Sequence, residues 1–330
     1  MNTFGRIVKV SIFGESHGVQ VGVVVDGCPA GIPLCENDLL EDLGRRKSGA
    51  KGTTPRKESD RPKIVSGVFE GHTTGAPLTV LFENENTRSG DYSNLIVQPR
   101  PGHADWVAGQ KFNGWQDYRG GGHFSGRITL GLVAAGIVAK KILGLTAIQA
   151  SVREIGGCSD PEGFSEVIEK AMAGQDSVGG IVECTVENLP VGCGEPFFDS
   201  VESVISHAVF SIPAIKGIEF GAGFDAARMR GSENNDPIVD ATGKTATNHA
   251  GGINGGISNG NPIVFRVAVK PTPSISARQQ TLNLERDQVE ELVVKGRHDA
   301  CIALRVPVVV EAVTAIALAD LYLVHQARTS

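Results

Sequence analysis

Arg6–Phe13 alternates apolar and polar positions, and Val19–Val25 is a nearly continuous β-branched run, so both predict strands joined as a hairpin across Gly14–Gly18. After the turn cluster Pro29–Pro33, Glu36–Leu43 carries Leu39, Leu40 and Leu43 at helical spacing. Ile64–Phe69 and Pro77–Phe82 again read as strands, and a polar loop follows over Glu83–Asn94. Ile128–Leu143 is small or apolar on most faces, which predicts a helix buried at the centre of the fold. In the second half, a strand at Gly180–Val186, a turn at Pro190–Pro196 and a helix at Val201–Phe210 repeat in outline the order seen at Gly22–Leu43. That repeat points to one internally duplicated domain over residues 1–330 rather than two unrelated ones. Further strands are expected at Ile215–Phe220 and Pro262–Val269, and Pro307–Gln326 closes the chain as an amphipathic helix.

Composition narrows the function classes. The 330 residues are 41% apolar, enough for a real core, and the 42 glycines follow no period of three, which excludes a collagen-like chain. With 31 Lys and Arg against 37 Asp and Glu, the net charge is −6, and only 5% of residues are aromatic; both disfavour a general nucleic-acid binder. Cationic charge is instead local. Arg45–Lys63 holds eight basic residues and two acids, a mobile loop of charge 8 − 2 = +6, which leaves −12 for the remainder. The six cysteines form no Cys-x-x-Cys pair and read as reduced, mostly buried thiols with no metal site. Met1–Phe13 has no targeting pattern, and the longest helical apolar run, Ile128–Ala139, falls short of the ~20 residues that cross a bilayer. A soluble, cytoplasmic protein without a membrane partner is expected.

Several blocks have residues suited to chemistry. Gly14-Glu15-Ser16-His17-Gly18 fits the Gly-x-Ser-x-Gly elbow of serine hydrolases, but a strand follows it where the elbow needs a helix. His17 between glycines is either a proton-transfer group or a surface turn histidine. Arg100-Pro101-Gly102-His103-Ala104-Asp105 sets a histidine on a rigid turn, read either as structure or as a proton donor beside an anion held by Arg100. Arg119–Arg127, with Gly120-Gly121-Gly122 at its centre, leads straight into the buried helix and suits an anion at a helix N-terminus. Gly221–Ala226 matches Gly-x-Gly-x-x-Ala, yet no long helix follows, which excludes a dinucleotide site. Arg230–Ile257 is long and rich in Gly, Asn and Asp, so it is expected to line a site. Asn248–Gly260 is glycine-dense and lets backbone approach a flat ring, and Lys270 beside Pro271-Thr272-Pro273-Ser274 suits a phosphate. In Gly296-Arg297-His298-Asp299, Arg297 and Asp299 either grip a polar ligand or pair with each other.

Taken in order, the blocks at Gly14–Gly18, Arg100–Asp105, Asp117–Gly122, Arg230–Asn234, Asn248–Gly252 and Gly296–Asp299 closely resemble the chorismate synthase family. The resemblance implies an α+β fold, a β-α-β sandwich with helices packed between antiparallel sheets, assembled as a homotetramer. It further implies a lyase of the shikimate pathway in aromatic amino-acid biosynthesis. This flavoprotein, associated with FMN and NADP, converts 5-enolpyruvylshikimate 3-phosphate to chorismate and phosphate, using reduced FMN with no net redox change. His17, His103 and Asp299 are then the proton-handling residues, and Arg45, Arg46, Lys51, Arg100, Arg127 and Arg297 the substrate clamp. His123, Phe124, Ser125, Glu233, Asn234, Gly255, Lys270, Pro271, Thr272, Pro273, Ser274 and Arg297 lie against the flavin in the same analogy. The segments 83–127 and 230–260 become active-site loops. Many members read Arg-Ser-Ser-Ala-Arg-Glu after the triple glycine, where this chain has His123-Phe124-Ser125-Gly126-Arg127-Ile128, so backbone contacts to the flavin are expected from this loop. No added segment serves as a flavin reductase, so an external one is the expected partner.

Overall fold

The computed structural model describes residues 1–54, 58–86, 94–294 and 298–329. The first half builds a five-stranded antiparallel sheet from β1 (Thr3–Phe4), β2 (Lys9–Gly14), β3 (Gln20–Asp26), β4 (Lys63–Ser66) and β7 (Leu78–Glu83), in the order β1-β2-β3-β7-β4. Two short strands, β5 (Val68–Phe69) and β6 (His72–Thr73), form a separate hairpin. Alternation fixes which face is covered: Val21, Val23 and Val25 on β3 and Leu78, Val80 and Phe82 on β7 are all buried. The predicted helix at Glu36–Leu43 begins as one 3-10 turn and continues as α1 (Leu40–Arg46).

The second half builds a four-stranded sheet from β8 (Ala147–Ile155), β9 (Gly180–Glu187), β10 (Ile215–Phe220) and β13 (Ile263–Val269), in the order β10-β13-β9-β8. Here β8 is a strand that the sequence reading missed, although its buried Ile148 and Ile155 flank a mostly polar, half-exposed stretch. The remaining helices are α2 (Asp105–Lys111), α3 (Thr129–Leu143), α4 (Phe164–Ala173), α5 (Val201–Val209), α6 (Gly231–Asn234) and α7 (Pro307–Thr329). Hairpins β11–β12 (Ile253–Asn254, Ile257–Ser258) and β14–β15 (Gln279–Asn283, Gln288–Leu292) complete the chain.

Helices α3 and α7 lie against each other between the sheets, α3 facing β2, β3 and β7 and α7 facing β8 and β9. The architecture is α+β, with helices sandwiched between antiparallel sheets. The duplication runs deeper than the turn match in the sequence: β2-β3-β7-β4 and β8-β9-β13-β10 have the same strand order, and α1 and α5 pack on α3 and α7 respectively.

Contact between the two central helices depends on small residues. A β-carbon at Gly136 of α3 would stand 2.4 Å from both Cα and Cβ of Ala312 on α7. Gly136→Ala is therefore expected to force the helices apart and cost about 1–3 kcal/mol, read as a lower denaturant midpoint. Because α7 is enclosed, Val308–Leu321 is buried on every side, which corrects the amphipathic reading of this helix. It is also longer than Ile128–Ala139 and, by length and composition, apolar enough to cross a membrane, with 78% of its most apolar window buried in the fold. Its two buried carboxylates are anchored: Asp320 accepts N–H bonds from Arg6, Ile7 and Val8, and Glu311 meets Arg45, Lys140 and the Ala150 N–H.

Candidate active site

A cavity of about 1090 Å³ opens where the first sheet, the start of α3 and the start of α7 converge. One limb is apolar, walled by Val10, Ile12, Leu132, Val309, Val313 and Ile316. The other is polar and cationic, with Arg46, Lys47, Arg127, Lys270 and Arg305 on its lining.

The cationic limb is organised by one acid. Asp60 takes Arg127 Nη1 at 2.8 Å and Arg46 Nη2 at 3.3 Å, and all three side chains are buried. Its backbone is held at φ +50°, a left-handed conformation uncommon for residues other than glycine, which its paired carboxylate stabilises. Burial alone would raise the Asp60 pKa, but the charges of Arg46 and Arg127 outweigh it and hold the carboxyl below its ordinary value. Arg46 donates further to Gly126 O and Thr129 Oγ1 at the start of α3. Burial first, and the like charge of Arg305 second, push Arg46 down to about 10. Two arginines share one buried carboxylate, so this limb has excess positive charge that an anion would neutralise.

Arg305 closes the same limb from the second half of the chain. It donates to the Arg46 carbonyl at 3.0 Å and to both oxygens of Asp299 at 3.2 Å, and Asp299 also accepts the Thr54 N–H. Neither Asp60 nor Arg305 stood out in the sequence. Asp60 was one of two acids in a basic stretch, and Arg305 is a lone cation entering an apolar helix, which is the signal that would have found it. Lys47 and His207 are further lining residues that the motifs did not expose.

Along one wall, Gly120, Gly121 and Gly122 all have positive φ, and the carbonyl of Gly122 accepts the Ser16 N–H at 3.0 Å. His17 lies beneath this turn, buried behind Gly120 and not among the residues that line the cavity: a β-carbon on Gly120 would stand 2.3 Å from its ring. Ser16 is fully buried, which removes the exposed nucleophile that a hydrolase elbow requires. His123 bonds Gly14 O through Nδ1 at 2.7 Å and Asn2 Oδ1 through Nε2 at 3.1 Å. Phe124, Ser125 and Gly126 continue the wall, and Ser125 Oγ accepts the Arg127 N–H at the turn that leads into α3.

Next to the Gly120–Gly122 turn, where the His103 ring packs against Gly121, a second wall joins Arg100–Asp105 to Lys270–Ser274. Arg100 makes a two-point contact with Asp105 at 2.7 Å and donates Nη1 to Ser274 Oγ at 2.9 Å. His103 Nδ1 lies 2.6 Å from Asp105 Oδ1, and Lys270 Nζ donates to Gly102 O. Burial would raise Asp105, but hydrogen bonds from Arg100 and His103 more than reverse it and hold this carboxyl far below its usual range.

The structure thus brings Arg46, Arg100, His103, His123, Phe124, Ser125, Arg127, Lys270, Thr272, Pro273, Ser274 and Asp299 to one cavity. Others lie elsewhere. Arg45 is bidentate on buried Glu311 and also pairs with Asp42, and Lys51 pairs with Glu169; neither lines the cavity, because acids of the fold itself take up their charge. Pro271 packs at Gly179 between lining residues. Glu233 and Asn234 on α6 and Gly255 in the β11–β12 turn are also not lining residues. Their segment is tied to Gly221 and Pro262, at one end of β10 and β13, while Ala214 and Lys270 meet the cavity at the other end. A seven-residue strand separates them by about 20 Å. Arg297 lies outside the described residues, as do 55–57 of the basic loop. Among the described residues, no group of three or more His, Cys, Asp or Glu side chains could hold a metal ion.

The sequence profile of the chorismate synthase family matches residues 8–323. The chain belongs to the chorismate synthase family. It is 67% identical to a chorismate synthase of Chitinophaga pinensis over 99% of this chain and 98% of the relative. It is also 48% identical to one of Lachnospira eligens, over 97% and 94% respectively. A crystal structure of chorismate synthase superposes with a TM-score of 0.75 at 29% identity, covering 97% of this chain and 93% of the other. The chain is accordingly a chorismate-forming lyase of the shikimate pathway.

Within this chorismate synthase fold, Arg45 is a structural cation. Arg45→Met is expected to lower stability by about 1–2 kcal/mol, since Lys140 and the Ala150 N–H still reach Glu311 and Arg45 is itself partly exposed. The Michaelis constant for the anionic substrate should stay unchanged in steady-state assays.

Proposed function

We propose that this chain carries out the anti-1,4-elimination of phosphate from 5-enolpyruvylshikimate 3-phosphate, with substrate and reduced FMN held together in the 1090 Å³ cavity and no net redox change. The observation that carries the reading is the pairing, in one cavity, of a buried arginine cluster at Asp60 with an apolar limb. Its volume lies just above the roughly 300–1000 Å³ usual for ligand sites, in keeping with two occupants.

Arg46, Arg127 and Arg305 would take the substrate's phosphate and carboxylates. The flavin fits the wall formed by His123, Phe124, Ser125, Lys270, Thr272, Pro273 and Ser274, where Gly120 adds no side chain to the lining and Lys270 supplies a cation. Reduced FMN, when bound, supplies electron density that expels phosphate and regains it as the ring hydrogen leaves. The protein's part is charge and protons. His103, with Nδ1 engaged by Asp105, has Nε2 left to exchange a proton with the flavin. His17, beneath Gly120, is assigned the proton for the departing phosphate, and Asp299, steadied by Arg305 and the Thr54 N–H, assists removal of the ring hydrogen. A homotetramer in the cytoplasm, supplied with reduced FMN by an external reductase, completes the reading.

The test is anaerobic mixing of the protein with 5-enolpyruvylshikimate 3-phosphate and dithionite-reduced FMN, followed by ultraviolet detection of chorismate. Phosphate release only when both are present supports the reading; release without flavin, or none with both, overturns it. His17→Ala should slow turnover about a hundredfold or more with the fold retained. A hydrolase is disfavoured by buried Ser16, and an RNA binder by the pairing of Arg45, Arg46 and Lys51 with acids of the fold.

A further inference from the structure

We infer that Asp105 is a positioning residue that keeps a proton on His103 Nδ1, so that Nε2 is the nitrogen facing the bound ligands. The inference rests on the proton-handling role given above to His103.

The geometry is specific. Asp105 Oδ2 accepts the Arg100 N–H at 3.0 Å and Arg100 Nε at 2.7 Å, while Oδ1 accepts Arg100 Nη2 at 2.7 Å and meets His103 Nδ1 at 2.6 Å. Arg100 Nη2 also stands 3.0 Å from His103 Nδ1, but it donates to Oδ1 at the shorter 2.7 Å; the carboxylate can only accept, so its 2.6 Å contact with Nδ1 calls for an N–H there. Arg100 Nη1 is anchored on Ser274 in the same wall, and the His103 N–H bonds the Arg100 carbonyl at 3.2 Å, so the turn holds Asp105 and the imidazole in register. The ring edge carrying Cε1 and Nε2 faces Gly121, where a β-carbon would stand 3.5 Å away. Nδ1 is thus committed to Asp105, and His103 is itself one of the residues that line the cavity.

Asp105→Asn separates this role from mere support of Arg100, because the surrounding donors choose how the amide sits. Its oxygen is favoured at the Oδ2 position, where the Arg100 N–H and Nε converge, because the NH₂ then opposes only Arg100 Nη2 at the Oδ1 position, whereas the reverse orientation opposes two fixed donors. The amide nitrogen then faces His103 Nδ1 and donates to it, which moves the imidazole proton to Nε2.

The experiment uses full-length protein labelled with ¹⁵N-histidine, with the His103 signals assigned by their loss in His103→Ala. Wild-type protein should show His103 protonated at Nδ1, and Asp105→Asn should show the neutral ring protonated at Nε2. The same variant loses the acid paired with buried Arg100 and should melt at a lower temperature; measured below that midpoint, kcat should fall about a hundredfold or more while KM stays within about threefold. His103→Ala/Asp105→Asn should be no slower than His103→Ala. A wild-type His103 lacking the Nδ1 proton overturns the inference without recourse to any variant. An unchanged tautomer in Asp105→Asn, or an undiminished further loss of rate in the double variant, overturns it as well. If His103→Ala runs at full rate, the role given to His103 is what fails, whatever the tautomer.

Discussion

Asp60→Ala is expected to cost about 3–5 kcal/mol of folding stability and to abolish turnover, because it leaves Arg46 and Arg127 buried without the acid between them. The loss should be partly recovered by inorganic phosphate. An anion that binds only the folded state stabilises by RT ln(1 + [L]/Kd), about 2.7 kcal/mol at a hundredfold excess over Kd. Urea titrations with and without phosphate, at matched ionic strength, measure both effects. A variant that unfolds at the wild-type midpoint, or that chloride rescues as well as phosphate, would show that the cluster is not an anion site.

Acid stability is coupled to the same residue. Asp60 and Asp105 both titrate below their unfolded values, so their contributions are complete above the ordinary carboxylate pKa of about 3.9 and are lost as the pH falls through their folded values. The unfolding midpoint of wild-type protein should drop below about pH 4, and that of Asp60→Ala should drop less steeply over the same interval.

The second large effect concerns the glycine wall. Gly122 sits at φ +53°, ψ −127°, and a β-carbon there would lie 2.0 Å from the Asp117 carbonyl oxygen. Gly122→Ala must move the wall, and with it the bond from Ser16 N–H to Gly122 O and the His17 ring packed under Gly120. A displacement of about 1 Å at reacting groups is enough to cost a hundredfold in rate, so at least that loss of kcat is expected. Gly126→Ala is the control for stability: nothing lies within 4 Å of its added carbon and its φ is ordinary, so its denaturant midpoint should match wild type.

What the sequence revealed, and what it hid, follows from the range of the interactions. Val19–Val25 is a nearly continuous β-branched run, a local pattern that predicts β3, and the structure buries its Val21, Val23 and Val25. The cavity was legible through His103, Arg127 and the triple glycine, since backbone freedom and fixed charge leave a mark in a few adjacent residues. Arg45 and Arg46 are neighbours with identical side chains, yet one is drawn to Glu311 and the other to Asp60. Only the packing of α1 against α7 separates them, and no spacing rule encodes that choice. Glu233 and Asn234 were misplaced for the same reason, because the direction in which β10 and β13 run decides which end of the sheet a loop occupies.

The repeated strand order has a consequence for how activity reports on assembly. Arg46 and Arg127 come from the first set of strands and helices, Lys270, Asp299 and Arg305 from the second, and they converge where α3 packs on α7, with Gly136 against Ala312. Severed between Leu143 and Ala147, the polypeptide would yield two fragments that each carry an incomplete set of charges. Turnover recovered on mixing them would therefore measure how faithfully the two pieces dock.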